Sequence, residues 1–213
     1  MRVPPHSGAP RVTTSHHEIV ADLLEHGRGT YALEGGITLR DKPAPLFQLL
    51  VLCTLAATRI DAGLAAAAAR ELFRAGWRTP ERLAESTWQQ RVDALGRGGY
   101  RRYDESTASS LEETATRVLR DHDGDLRALR PSARSAVPDL EDAIASFPRI
   151  GPVGARLFCR EVQEVWPAVR PYFDPRALRR AETLGLPTDP EALASLAPRG
   201  RLTDLAAALG RSS

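Results

Sequence analysis

The sequence predicts an all-α fold. Apolar residues recur at helical spacing nearly throughout the 213 residues, no stretch alternates as a strand does, and no segment repeats another. Apolar residues make up 42% and charged residues 26%, a balance that supports a packed core rather than a disordered chain. No window reaches about 18 uncharged apolar residues, so no membrane span is expected.

Taken in order, residues 1–14 open with MRVPPHSGAP, lack an apolar leader and read as a disordered tail. SHHEIVADLLEH (15–26) puts Ile19, Leu23 and Leu24 on one helix face, with Ser15 as its cap. Gly35, Gly36, Pro43 and Pro45 mark residues 30–45 as a connector. LFQLLVLCTLAATR (46–59) is apolar on almost every side and is expected to be a central buried helix. The alanine-rich stretch at 62–76 is a strong helix former ending at Gly76. TPERLAES (79–86) and TWQQRVDALG (87–96) each open on a threonine cap.

GRGGYRRY (96–103) is a Gly-rich basic loop, and residues 104–122 form an amphipathic helix through Leu111, Ala115, Val118 and Leu119. A polar connector follows at 123–139. A short helix is expected from Leu140 to Phe147 and a longer one from Val153 to Trp166. Helices at about 175–184, 190–197 and 201–209 close the chain.

Several motifs carry no chemistry. DHDGD at 121–125 begins like a calcium loop, but Leu126 and Ser132 stand where such a loop needs Gly and Glu. His16 and His17 lack partner ligands at metal spacing, so no metal site is expected. Cys53 and Cys159 sit in apolar helical contexts and read as buried free thiols. There is no Ser-His-Asp elbow, Walker loop or dinucleotide fingerprint, and no cofactor is expected. The net charge of +2 neither demands nor excludes nucleic acid.

IASFPRIGPVGARLFCREV (144–162) breaks one helix sharply and at once begins another. The turn serves as a corner between helices. It also leaves free N–H groups and the positive end of a helix dipole pointing together, which suits a phosphate oxygen. Ile150 is placed to plug inward, while Gly151 and Gly154 strip the backbone of side chains.

The stretch FPRIGPVGARLF resembles the helix–hairpin–helix of DNA glycosylases related to endonuclease III. The family pattern falls on Phe147, Pro148, Arg149, Ile150, Gly151, the trio Pro152, Val153 and Gly154, and Ala155. YFDPRALRR supplies the family's later aspartate as Asp174, after Phe173 and before Arg179. The resemblance runs in order over about residues 44 to 186 and includes the Gly-Tyr loop at 96–103.

It implies a two-lobed helical fold. One lobe is a barrel at 46–166 with the hairpin at about 140–166, and the other is built from 15–45 and 167–213. It further implies a base excision repair protein that binds lesion-containing double-stranded DNA, a monomer in the cytoplasm associated with the nucleoid. Asp174 is the implied catalytic residue of a glycosylase. Arg149, Ile150, Gly151, Val153, Gly154, Arg101 and Arg102 are the implied DNA contacts.

Departures from the family pattern narrow this. Arg149 replaces the first hairpin glycine, where positive φ is costly for a side chain. Val153 stands where bifunctional members carry a Schiff-base lysine, and the chain's one lysine is Lys42 in a Pro-flanked connector. An imine-forming lyase is therefore not expected. Ala56 replaces the polar wedge that fills the gap behind a flipped base, so another filler is needed, with the Gly98–Tyr103 loop as its source. Two cysteines cannot hold the family's four-cysteine iron–sulfur cluster. The wedge and glycine departures leave an alternative: a helix–hairpin–helix DNA-binding protein without catalysis.

Overall fold

In the computed structural model, residues 15–57 and 60–211 are described, and the expected tail at 1–14 lies outside them. Every regular element among the described residues is helical, as the periodicity predicts. Helices α1 (His16–His26), α2 (Tyr31–Glu34), α3 (Pro43–Ala56), α4 (Ala62–Arg74), α5 (Pro80–Ala84) and α6 (Trp88–Arg97) lead to the Gly-rich loop. After it come α7 (Asp104–His122), α8 (Val137–Ala145), α9 (Gly151–Val162), α10 (Pro175–Thr183), α11 (Pro190–Ser195) and α12 (Leu202–Gly210). Short 3₁₀ turns fill parts of the connectors.

The caps explain most boundaries. Ser15 and Glu18 form a reciprocal capping box at α1, and Thr79 and Thr87 accept N–H groups at α5 and α6. The expected connector at 30–45 is shorter than its glycines and prolines suggest. Thr30 caps the brief α2, and Pro43 occupies the first turn of α3, where its missing N–H costs nothing. Likewise Pro138 lies in the first turn of α8, so that helix starts before Leu140 and ends at Ala145. Helix α9 begins at Gly151, two residues before Val153, and ends at Val162.

Helix α3 is buried at every residue from Leu46 to Leu55, the central helix its all-round apolar sequence predicts. Its flank is α4, whose Ala65, Ala66, Ala68 and Ala69 are buried. Their small size admits the chain after α6: a Cβ on Gly98 would sit 2.5 Å from the Ala68 Cα. Arg91 is fully buried between α5, α6 and α7. Its guanidinium donates to the Ser86 and Ala108 carbonyls and pairs with Glu112. Such a group is stable inside because each of its three nitrogens has a hydrogen-bond partner.

The buried apolar side chains fall into two clusters. The larger gathers α3, α4, α6, α7, α8 and α9 around Phe47, Leu50, Phe158 and Trp166. Ala32, Ile37 and Val169, from the segments flanking 46–166, also pack within it. The smaller joins α1, α10, α11 and α12 through Val20, Phe173, Ala177, Leu193 and Leu205. Both cysteines are free and buried, and burial pushes the Cys53 thiol well up.

Candidate nucleic-acid cleft

The turn between α8 and α9 is held from α7. Arg117 lies over the Phe147 ring at 4.7 Å and donates to the Ser146 carbonyl at 2.6 Å and its hydroxyl at 2.8 Å. Arg149 does adopt the left-handed backbone that a glycine would take there, with φ +61°, and Gly151 follows with φ +54°. Arg149 is exposed, yet its guanidinium is tethered. It donates to the Ser106 hydroxyl at 3.2 Å and lies over the Tyr103 ring at 5.8 Å. Arg102 lies over the same ring at 5.3 Å. Tyr103 thus joins the hairpin to the basic loop, and Arg101 and Arg102 are exposed.

The other hairpin residues divide by direction. Ile150 is buried in the larger cluster. Gly154 is buried too, and a Cβ there would come within 2.7 Å of the Ile150 side chain and 3.1 Å of the Cys53 carbonyl. Its N–H is spent on the Ile150 carbonyl. That leaves the N–H groups of Gly151 and Val153, in the first turn of α9, without an intrahelical acceptor. The Val153 side chain is 64% exposed.

Asp174 caps α10. Its Oδ1 accepts the N–H of Arg176 at 2.9 Å and of Ala177 at 3.0 Å. Its Oδ2 accepts Arg160 Nη1 at 2.9 Å, and both side chains are buried. Three hydrogen bonds leave the carboxylate roughly one lone-pair direction of about four. Asp174 is only 6% exposed.

Arg160 belongs to a larger buried charge network. Its Nε lies 3.6 Å from Glu161 Oε1, and its guanidinium is 5.2 Å from the Tyr31 ring. Arg211 covers the same ring at 4.2 Å, pairs with Glu34 at 3.0 Å and donates to the Gly29 carbonyl at 2.9 Å. Glu161 accepts the N–H groups that open α2, Ala32 at 3.0 Å among them. Burial pushes the Glu161 carboxyl up, against the pull of Arg160. The backbone of Gly210 completes the enclosure, since a Cβ there would sit 2.1 Å from Arg160 Nη1.

Tyr31, Arg160, Asp174, Gly210 and Arg211 line a cleft of about 1150 Å³ between α9 and the end of α3 on one side and α1, α10 and the end of α12 on the other. Val153 and Asp174 both line it, as do Ala56 and Ala57. Six arginines and three aspartates face it, an excess of positive charge that focuses an attractive field on anions. None of Arg149, Arg101 and Arg102 lines this cleft. No residue of the Gly98–Tyr103 loop lines it, and Tyr100 is fully buried with its hydroxyl on the Leu55 carbonyl.

Arg160, Glu161, Tyr31, Arg211 and Gly210 escaped the sequence reading. For Arg160 a signal existed: it lies three residues after Leu157 on the buried side of α9. No signal joined it to Asp174, and Arg211 sits at the far end of the chain.

Among the described residues no group of His, Cys, Asp or Glu is arranged to hold a metal ion, and no helix is long and apolar enough to cross a membrane. No protein-family model matches the chain, and no curated protein matches it. Among solved structures it is similar to a trapped covalent intermediate of endonuclease III with DNA, an estranged-adenine complex, at 15% sequence identity and a TM-score of 0.48. The likeness covers 92% of this chain and 85% of that one.

Proposed function

We propose that this chain is a base excision repair protein that binds duplex DNA, and that it acts as a monofunctional DNA glycosylase. The observation that carries this is the meeting of two separate motifs in one cleft. Val153, in the first turn of the hairpin helix, and Asp174, at the cap of α10, line the same cavity. Phosphate oxygens are held by the open N–H groups of Gly151 and Val153 and by Arg149, Arg101 and Arg102. A damaged or mismatched nucleotide is turned out of the stack into the cleft.

The Asp174 carboxylate, hydrogen-bonded by Arg160 at 2.9 Å, stabilises the positive charge that develops on the sugar. Its remaining lone pair orients a water. The bond from C1′ to the base nitrogen breaks with its electron pair on the base. The water oxygen bonds to C1′, and its proton leaves for the departing base or for solvent. Lys42 caps α3 and is not among the residues lining the cleft, so an imine to the sugar forms no part of the scheme.

A second reading, a DNA-binding protein without catalysis, is favoured by one feature. Asp174 is already committed to three hydrogen bonds and is nearly inaccessible. Duplexes bearing deaminated, oxidised, alkylated or mismatched bases, assayed for base release with wild type and Asp174→Asn, separate the two. Circular dichroism at the assay temperature verifies that both proteins are folded. Release by wild type and its loss in the variant support the glycosylase; salt-dependent binding without release by either supports the second reading. Affinity for duplex that does not change with salt contradicts both.

A further inference from the structure

The wall of the cleft facing α9 carries arginines that the hairpin scheme does not use. Arg28 follows α1, and two contacts fix its backbone. Gly27 packs closely against α12, where a Cβ would lie 3.5 Å from Ala208, and the Gly29 carbonyl is held by Arg211 at 2.9 Å. Arg179 lies on α10. Ala177 and Ala181, two residues to either side, are buried in the smaller cluster, so Arg179 projects from the opposite face of the helix, into the cleft. Both arginines are exposed.

Among the described residues neither Arg28 nor Arg179 takes part in an ion pair, whereas Arg160, Arg211 and Arg156 each have a carboxylate partner. Of the three aspartates facing the cleft, Asp174 is already engaged by Arg160. Guanidinium groups carried on one concave wall without enough carboxylates attract an external anion. The planar fork of Arg fits a phosphate well.

We propose that Arg28 and Arg179 form a second phosphate-binding surface, so that the nucleic-acid backbone is held on both walls of the cleft. This rests on the DNA-binding reading above and adds to it a set of contacts on the smaller lobe. The hairpin grips one stretch of backbone, and Arg28 and Arg179 grip another across the Asp174 opening.

The experiment is a salt titration of binding to a short fluorescent duplex containing a stable abasic-site analogue. The proteins are wild type, Arg28→Gln/Arg179→Gln, Arg149→Gln, and a control with Arg74→Gln and Arg82→Gln on distant helices. Each lost phosphate contact lowers the slope of log K against log salt by about 0.9. The double cleft variant is expected to lose about 1.8 in slope, Arg149→Gln about 0.9, and the control nothing. An unchanged slope for the cleft variant with a reduced slope for Arg149→Gln overturns this inference and leaves the DNA-binding reading standing. A drop in the control equal to that of the cleft variant also overturns it, because the effect is then net charge alone. Absence of duplex binding by wild type overturns both.

Discussion

Arg160 and Asp174, fourteen residues apart on α9 and at the cap of α10, form a buried ion pair at 2.9 Å that bridges the two apolar clusters. Glu161 and Gly210 close around it, and both side chains are buried. Removing one partner leaves the other buried without its charged hydrogen-bond partner. Arg160→Ala and Asp174→Ala are each expected to destabilise the protein by about 3–5 kcal/mol. The double variant should cost less than the sum, with a coupling of about 1–3 kcal/mol. Urea denaturation of the four proteins measures this. Additive effects would show that the pair is not coupled.

Gly210 is the tightest point of the site. A methyl group at this position would overlap Arg160 Nη1 and crowd Asp174 Oδ2, which a Cβ would approach to 3.2 Å. Gly210→Ala is expected to cost about 1–3 kcal/mol, as overpacking does, although alanine is the better helix former. Thermal denaturation checks the sign: a more stable variant would mean that the guanidinium moves aside freely.

Arg149 separates backbone strain from side-chain function. At φ +61° a non-glycine residue is strained, and glycine relieves that strain at some entropic cost. Arg149→Gly is expected to stay within about 1 kcal/mol of wild type in stability. Arg149→Ala keeps the strain, loses the contacts with Ser106 and Tyr103, and should be less stable than Arg149→Gly by about 1 kcal/mol. Both should bind duplex more weakly than wild type. Chemical denaturation and duplex titration measure the two properties separately.

The hairpin and the central helix α3 were legible because each is local. A Pro-flanked turn and an unbroken apolar run announce themselves within a dozen residues. The network around Arg160 was not legible, because its members come from α2, α9, α10 and the end of the chain. Their partnership exists only once two apolar clusters have packed. Composition gave no help either, since Arg160 and Glu161 read as any charged pair on a helix, yet both are buried. The connector at 30–45 misled for the opposite reason: Pro43 and Pro45 start α3 rather than prevent it.

Glu161 predicts a pH dependence. Its carboxyl is raised above the ordinary 4.5, chiefly by burial, so the folded state holds the proton more firmly than the unfolded state does. The stability this contributes is present below 4.5 and is lost as pH rises through the elevated value. Asp121 and Asp125, held low by hydrogen bonds from Arg120 and Arg127, act in the opposite sense and only below 3.8. Melting temperature against pH should therefore decline less steeply above 4.5 for Glu161→Gln than for wild type. Parallel curves would exclude Glu161 as the source.

The central claim is that Asp174 acts on a glycosidic bond, and the most direct test is base release. Wild-type protein should free a base from at least one lesion duplex, leaving an abasic site that hot alkali converts to a strand break. Borohydride should trap no covalent adduct, and folded Asp174→Asn should release at least a hundredfold less than wild type, roughly what loss of one electrostatic stabiliser costs. Equal release by the two proteins would contradict the account, as would an adduct trapped by borohydride.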